Sequence, residues 1–97
     1  MHINVALQDG FDGDEVVIRI DGEEAYRADG VTTRTQISHA ADMQLEVPDG
    51  PFTLEVDVPT QGIRESLQLD PNAQPNVALS LRGGELVATY PERIGFV

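Results

Sequence analysis

In run after run of this chain, every second residue is aliphatic, and that period of two restricts the backbone to strands with one apolar and one polar face. Ile3, Val5 and Leu7 alternate with His2, Asn4, Ala6 and Gln8. Val16, Ile18 and Ile20 follow, with Arg19 on the opposite face. Met43, Leu45 and Val47 alternate with Gln44 and Glu46, and Phe52, Leu54, Val56 and Val58 with Thr53, Glu55 and Asp57. Leu67 and Leu69, then Val77, Leu79 and Leu81, repeat the pattern. Strand candidates fall near 2–8, 14–20, 24–28, 33–38, 42–47, 52–58, 63–69, 76–82 and 85–90. The segment from Ser38 to Asp42 reads as a loop or a single helical turn.

Turn residues separate these runs. Asp21-Gly22 suits a two-residue type I′ hairpin. Asp49-Gly50-Pro51, Pro59-Thr60-Gln61-Gly62 and Gly83-Gly84 close further turns, and the two prolines of Asp70–Asn76 forbid a strand there. Each strand must cover its apolar face. In 97 residues, a single domain, the expected solution is a two-layer antiparallel β-sandwich, immunoglobulin-like or prealbumin-like, of about seven to nine short strands. A closed barrel is the alternative.

Composition then narrows the function. Seventeen acidic residues face six basic ones, all arginine, giving a net charge of −11. Such a field repels phosphate backbones and anionic lipid, so neither nucleic acid nor a membrane surface is an expected partner. The acidity suits a high-salt cytoplasm, a halophilic adaptation; a codon bias that favours arginine over lysine would explain the missing lysine but not the excess acid. With no cysteine, disulfides and thiolate chemistry are excluded. No signal peptide or membrane span is visible, and the expectation is a complete, stand-alone cytoplasmic protein.

The run Val17-Ile18-Arg19-Ile20-Asp21-Gly22-Glu23-Glu24-Ala25-Tyr26 resembles the V-x-I-D-G hairpin of PEGA-type and related prealbumin-like β-sandwich repeats. Leu45-Glu46-Val47-Pro48-Asp49-Gly50-Pro51-Phe52-Thr53-Leu54-Glu55-Val56 looks like their second hairpin, and Leu67-Gln68-Leu69 falls in step. The likeness spans about half the chain and rests on hairpin chemistry. The chain departs from it at Thr60-Gln61-Gly62-Ile63, where those repeats carry Gly-Tyr. The resemblance implies a non-enzymatic interaction or spacer module, of a kind usually associated with the cell envelope.

Catalytic chemistry finds little support. His2 lies on a polar strand face. Ser38 and His39 are neighbours, but a nucleophile also needs an oriented base. Glu23, Glu24 and Glu85 are carboxylates without the aromatic cleft of a glycosidase, in a chain with three Phe, two Tyr and no Trp. Phosphate-cradling glycine motifs are absent. Two features stand out. Asp9, Asp12, Asp14 and Glu15 form an acidic, glycine-spaced run that offers oxygen ligands to calcium, although its spacing is not that of an EF-hand. Ile94, Phe96 and Val97 give an apolar C-terminal tail suited to packing on the core or on a partner. The expected function is therefore a non-catalytic interaction or assembly module, homodimeric or bound to another protein, that works through sheet edges and the tail and needs no cofactor. The alternative is a calcium- or small-ligand-binding sandwich that uses the loop 9–15.

Overall fold

The fold is seen in a computed structural model that describes residues 1–34, 36–37 and 39–92. Among the described residues eight strands are formed: β1 (His2–Leu7), β2 (Asp14–Ile20), β3 (Glu23–Val31), β4 (Ala41–Glu46), β5 (Phe52–Val58), β6 (Ile63–Leu69), β7 (Asn76–Arg82) and β8 (Glu85–Thr89). A 3-10 turn, Pro59–Gln61, joins β5 to β6. The strands make two four-stranded sheets, in the orders β4-β1-β7-β8 and β3-β2-β5-β6. Packed face to face they are the expected all-β sandwich.

Register follows the apolar phase of each strand. Ile3 lies opposite Leu45, Val5 opposite Met43 and opposite Val77, and Leu7 opposite Leu79. In the second sheet Ile18 meets Val56, Ile20 meets Leu54, and Phe52 meets Leu69. These inward residues form one continuous core, in which Ile3, Leu7, Ile18, Leu54 and Leu79 are fully buried. The burial of so many branched aliphatic chains supplies the main drive to fold.

Three details differ from the sequence reading. The ladder between β1 and β7 is parallel, while the others are antiparallel. Ala6, Val17 and Ala78 are buried on the outer faces of their strands, so those faces are not uniformly wet. The segment 33–38 is not a strand among its described residues. Arg34 pairs only in an isolated bridge with His39, and Gln36 and Ile37 lie in a turn. The reason is that β3 runs on to Val31, opposite Asp14, and the chain then turns to the β1–β2 loop. Thr33 donates its amide to the Phe11 carbonyl (2.8 Å) and its hydroxyl to the Gln8 carbonyl (2.6 Å), and its hydroxyl accepts from the Phe11 amide.

The Asp21-Gly22 turn forms as its sequence demands. Ile20 pairs with Glu23 across it, and Asp21 and Gly22 have φ of 50° and 86°, the left-handed pair of a type I′ turn.

Candidate functional site

The acidic run 9–15 is split by strand geometry. Asp14 opens β2 in phase with Val16, Ile18 and Ile20, and its side chain is buried. Glu15, next along the strand, points to the opposite face, where it stands 3.4 Å from the Arg27 guanidinium. One carboxylate oxygen of Asp14 accepts from the Thr60 hydroxyl at 2.5 Å. The other accepts from the Gln61 amide at 2.8 Å and the Asp12 backbone amide at 2.9 Å. Burial alone would raise the Asp14 pKa. The donors from Thr60, Asp12 and Gln61 together outweigh it and hold the carboxyl below its ordinary value of 3.8. Asp9 takes part through its backbone, its amide donating to the Ser80 hydroxyl and its carbonyl accepting from the Leu81 amide. Among the described residues no group of three or more His, Cys, Asp or Glu side chains converges as a metal site. Asp14 instead clasps the β1–β2 loop to the turn that follows β5.

The other candidates are likewise dispersed. His2 is exposed at the start of β1. His39 lies 3.7 Å from Asp42, and Ser38 lies outside the described residues. Glu23 and Glu24 are consecutive on β3 and so face opposite ways. Glu24 binds Arg27 at 2.7 Å, and the Arg27 hydrogen bond lowers its pKa. Glu85 belongs to the other sheet. The tail residues Ile94, Phe96 and Val97 also lie outside the described residues. A surface cleft of about 420 Å³ opens between the β2–β3 hairpin and the end of β4, ringed by Asp21, Glu23, Glu24 and Glu46.

The four sheet edges are more informative, because an uncovered edge is a template for another strand. Three edges carry features that oppose pairing. Along β3 lie Glu23, Glu24, Arg27 and Asp29, and its ladder with β2 is broken by two register shifts. β4 carries Asp42 and Glu46. β6 carries Arg64 and also Glu65, which lies opposite Val56 and therefore on the core-facing side. An inward charge on an edge strand penalises an added neighbour, which would bury it.

β8 carries a charge only at its first residue, Glu85, and has no register break. No charged residue stands between Glu85 and Glu92, and β8 pairs with β7 in unbroken register from Arg82↔Glu85 to Ala78↔Thr89. Its backbone direction follows from β7. The Gln8 amide donates to the Leu79 carbonyl, and the Leu81 amide donates to the Asp9 carbonyl, each at 2.8 Å. Leu79 and Leu81 therefore turn their backbone groups towards β1, and Ala78, Ser80 and Arg82 turn theirs towards β8. Their partners Thr89, Val87 and Glu85 are used in that ladder. Leu86 and Ala88 direct amide and carbonyl away from the sheet. The Leu86 and Ala88 side chains lie on the core side, opposite Leu81 and Leu79, and Val87 is half-buried on the outer face.

Sheet edges in general are expected from the sequence, but this particular edge is not. Edge status depends on strand order, which alternation does not encode. The available signal was the neutral run from Leu86 to Tyr90 in so acidic a chain.

No protein-family model, curated protein or solved structure matches this chain. Among the described residues no helix is long and apolar enough to cross a membrane.

Proposed function

We propose that this protein is a non-catalytic interaction module that takes up an extended strand along the β8 edge. The observation that carries this reading is the pair of outward backbone donors and acceptors at Leu86 and Ala88, on the only edge strand among the described residues that lacks both a charge between its ends and a register break. An added strand there gains main-chain hydrogen bonds and continues the sheet β4-β1-β7-β8, the physics of β-augmentation. The resemblance to PEGA-type repeats agrees with a module of this kind. An apolar tail that includes Ile94, Phe96 and Val97 adds surface for a partner in the same reading.

Amide hydrogen exchange tests it. Leu86 and Ala88 should exchange freely in dilute protein and become protected when the protein is concentrated or mixed with the products of neighbouring genes. In Ala88→Pro the outward amide is lost while the ladder to β7 keeps its own bonds, and the protection of Leu86 should disappear. Free exchange at both positions under every condition overturns the reading.

A further inference from the structure

We propose that the strand received by β8 is β8 of a second copy, antiparallel, with the two-fold axis at Val87; this rests on the edge reading above. An antiparallel ladder alternates hydrogen-bonded and non-bonded pairs, and only residues whose backbone faces outward can form the bonded ones. Leu86 and Ala88 are those residues in β8, and they flank Val87. Centring the axis on Val87 sets Leu86 of each copy opposite Ala88 of the other. Each such pair exchanges both of its hydrogen bonds, and Val87 meets Val87 as the non-bonded pair between them.

Local charge permits this occupant, although net charge opposes it. A second copy carries the same net charge of −11, so two molecules approach against repulsion, and they can join only where local acid is sparse. In the Val87-centred register Glu85 faces Thr89. The two Glu85 side chains are then four residues apart along the strand, at about 3.4 Å per residue, which exceeds the Debye length of about 8 Å at physiological salt. Arg82, opposite Glu85 across the β7–β8 ladder, leaves this rim close to neutral. A basic strand from another protein would find no carboxylate between Glu85 and Glu92 to pair with. The side chains also agree with self-pairing. Leu86 would join Ala88 on the core side of the lengthened sheet, and Val87 would bury its half-exposed outer surface against its own copy.

Two five-residue strands bury less than the roughly 1,200 Å² of a stable complex. The dimer is therefore weak, and salt strengthens it by screening the repulsion.

Light scattering over a concentration series should show a monomer–dimer equilibrium that shifts towards dimer between about 0.1 and 1 M KCl. Val87→Glu sets two carboxylates against each other at the axis and should weaken association by about tenfold or more. Val87→Lys alone should do the same. Mixing the two variants should restore a one-to-one dimer, which a mere loss of packing at Val87 would not do. The chain has no cysteine, so Val87→Cys should oxidise to a covalent dimer much faster than Gln68→Cys on β6, because Cα atoms of a non-bonded pair lie about 4.5 Å apart, within disulfide reach. A wild-type monomer at millimolar concentration and molar KCl overturns self-pairing, as does failure of the mixed variants to associate. If Leu86 and Ala88 are nevertheless protected by another chain, the edge reading stands and only the second copy is lost as its occupant.

Discussion

Asp14 occupies a position where the rhythm of β2 calls for an aliphatic residue, and it is kept there by the hydrogen bonds from Thr60, Gln61 and the Asp12 amide. Asp14→Ala leaves those donors facing an empty site and should lower stability by about 1–3 kcal/mol, read from denaturant unfolding. The pH dependence has a definite sign. The folded pKa lies below the ordinary value of 3.8, so the carboxylate's contribution is fully present above that value and is lost as pH falls through the folded pKa. The stability gap between the wild type and Asp14→Asn should be constant near neutrality and close in acid; a gap unchanged down to pH 2 would show that the charge plays no part. Gly10 makes a second demand on the same loop. Its φ is +91°, and a Cβ there would sit 2.0 Å from the Leu81 carbonyl oxygen. Gly10→Ala should cost at least about 2 kcal/mol, seen as a lowered thermal midpoint. The structural role of Asp14 was legible in the sequence, because it is in phase with Val16, Ile18 and Ile20. Spacing along the acidic run suggested a ligand set instead, since it counts neighbours without asking which face each one takes.

At the scale of the strand, alternation and turn chemistry located most of the elements, and the physical reason is local. Asp21-Gly22 fixes its own backbone, and a strand buried on one face must write that face into its sequence. The segment 33–38 misled because Thr33 is a good strand residue that here spends its hydroxyl and amide on the β1–β2 loop. Neighbours in a sheet are a matter of long-range pairing, so neither the edge position of β8 nor the parallel β1–β7 ladder could be read from short windows. The contrast between edge and centre gives a direct prediction. Ala78 and Ala88 are both small strand residues, but the Ala78 amide serves the ladder to β8 and the Ala88 amide faces outward. Ala78→Pro should lower stability by about 3 kcal/mol or more, enough to unfold a marginal domain, whereas Ala88→Pro should retain a cooperative thermal transition close to the wild type. Comparable losses in both would mean that Ala88 also donates within the sheet.

For the molecule as a whole, charge is the dominant imbalance. Cross-strand pairs such as Arg19 with Glu55 at 3.3 Å and Arg64 with Asp57 at 3.2 Å neutralise part of the outer face of the β3-β2-β5-β6 sheet, but six arginines cannot answer seventeen acids. The remaining self-repulsion is long-range and is screened by salt. The thermal midpoint should therefore rise from low to molar KCl, and a flat or falling midpoint would show that local ion pairing governs instead. The parallel ladder has a different consequence, in time. Asn4 on β1 bonds Asn76 on β7, 72 residues later. On the ribosome the strands β2, β3, β5 and β6 have all been made before β7 exists, so one layer can assemble while β1, paired with β4 alone, still waits for its second neighbour. Completion of the second layer is thus postponed until β7 and β8 have been made, and the interval before it is when the nascent protein is most exposed to sticking to the wrong surface.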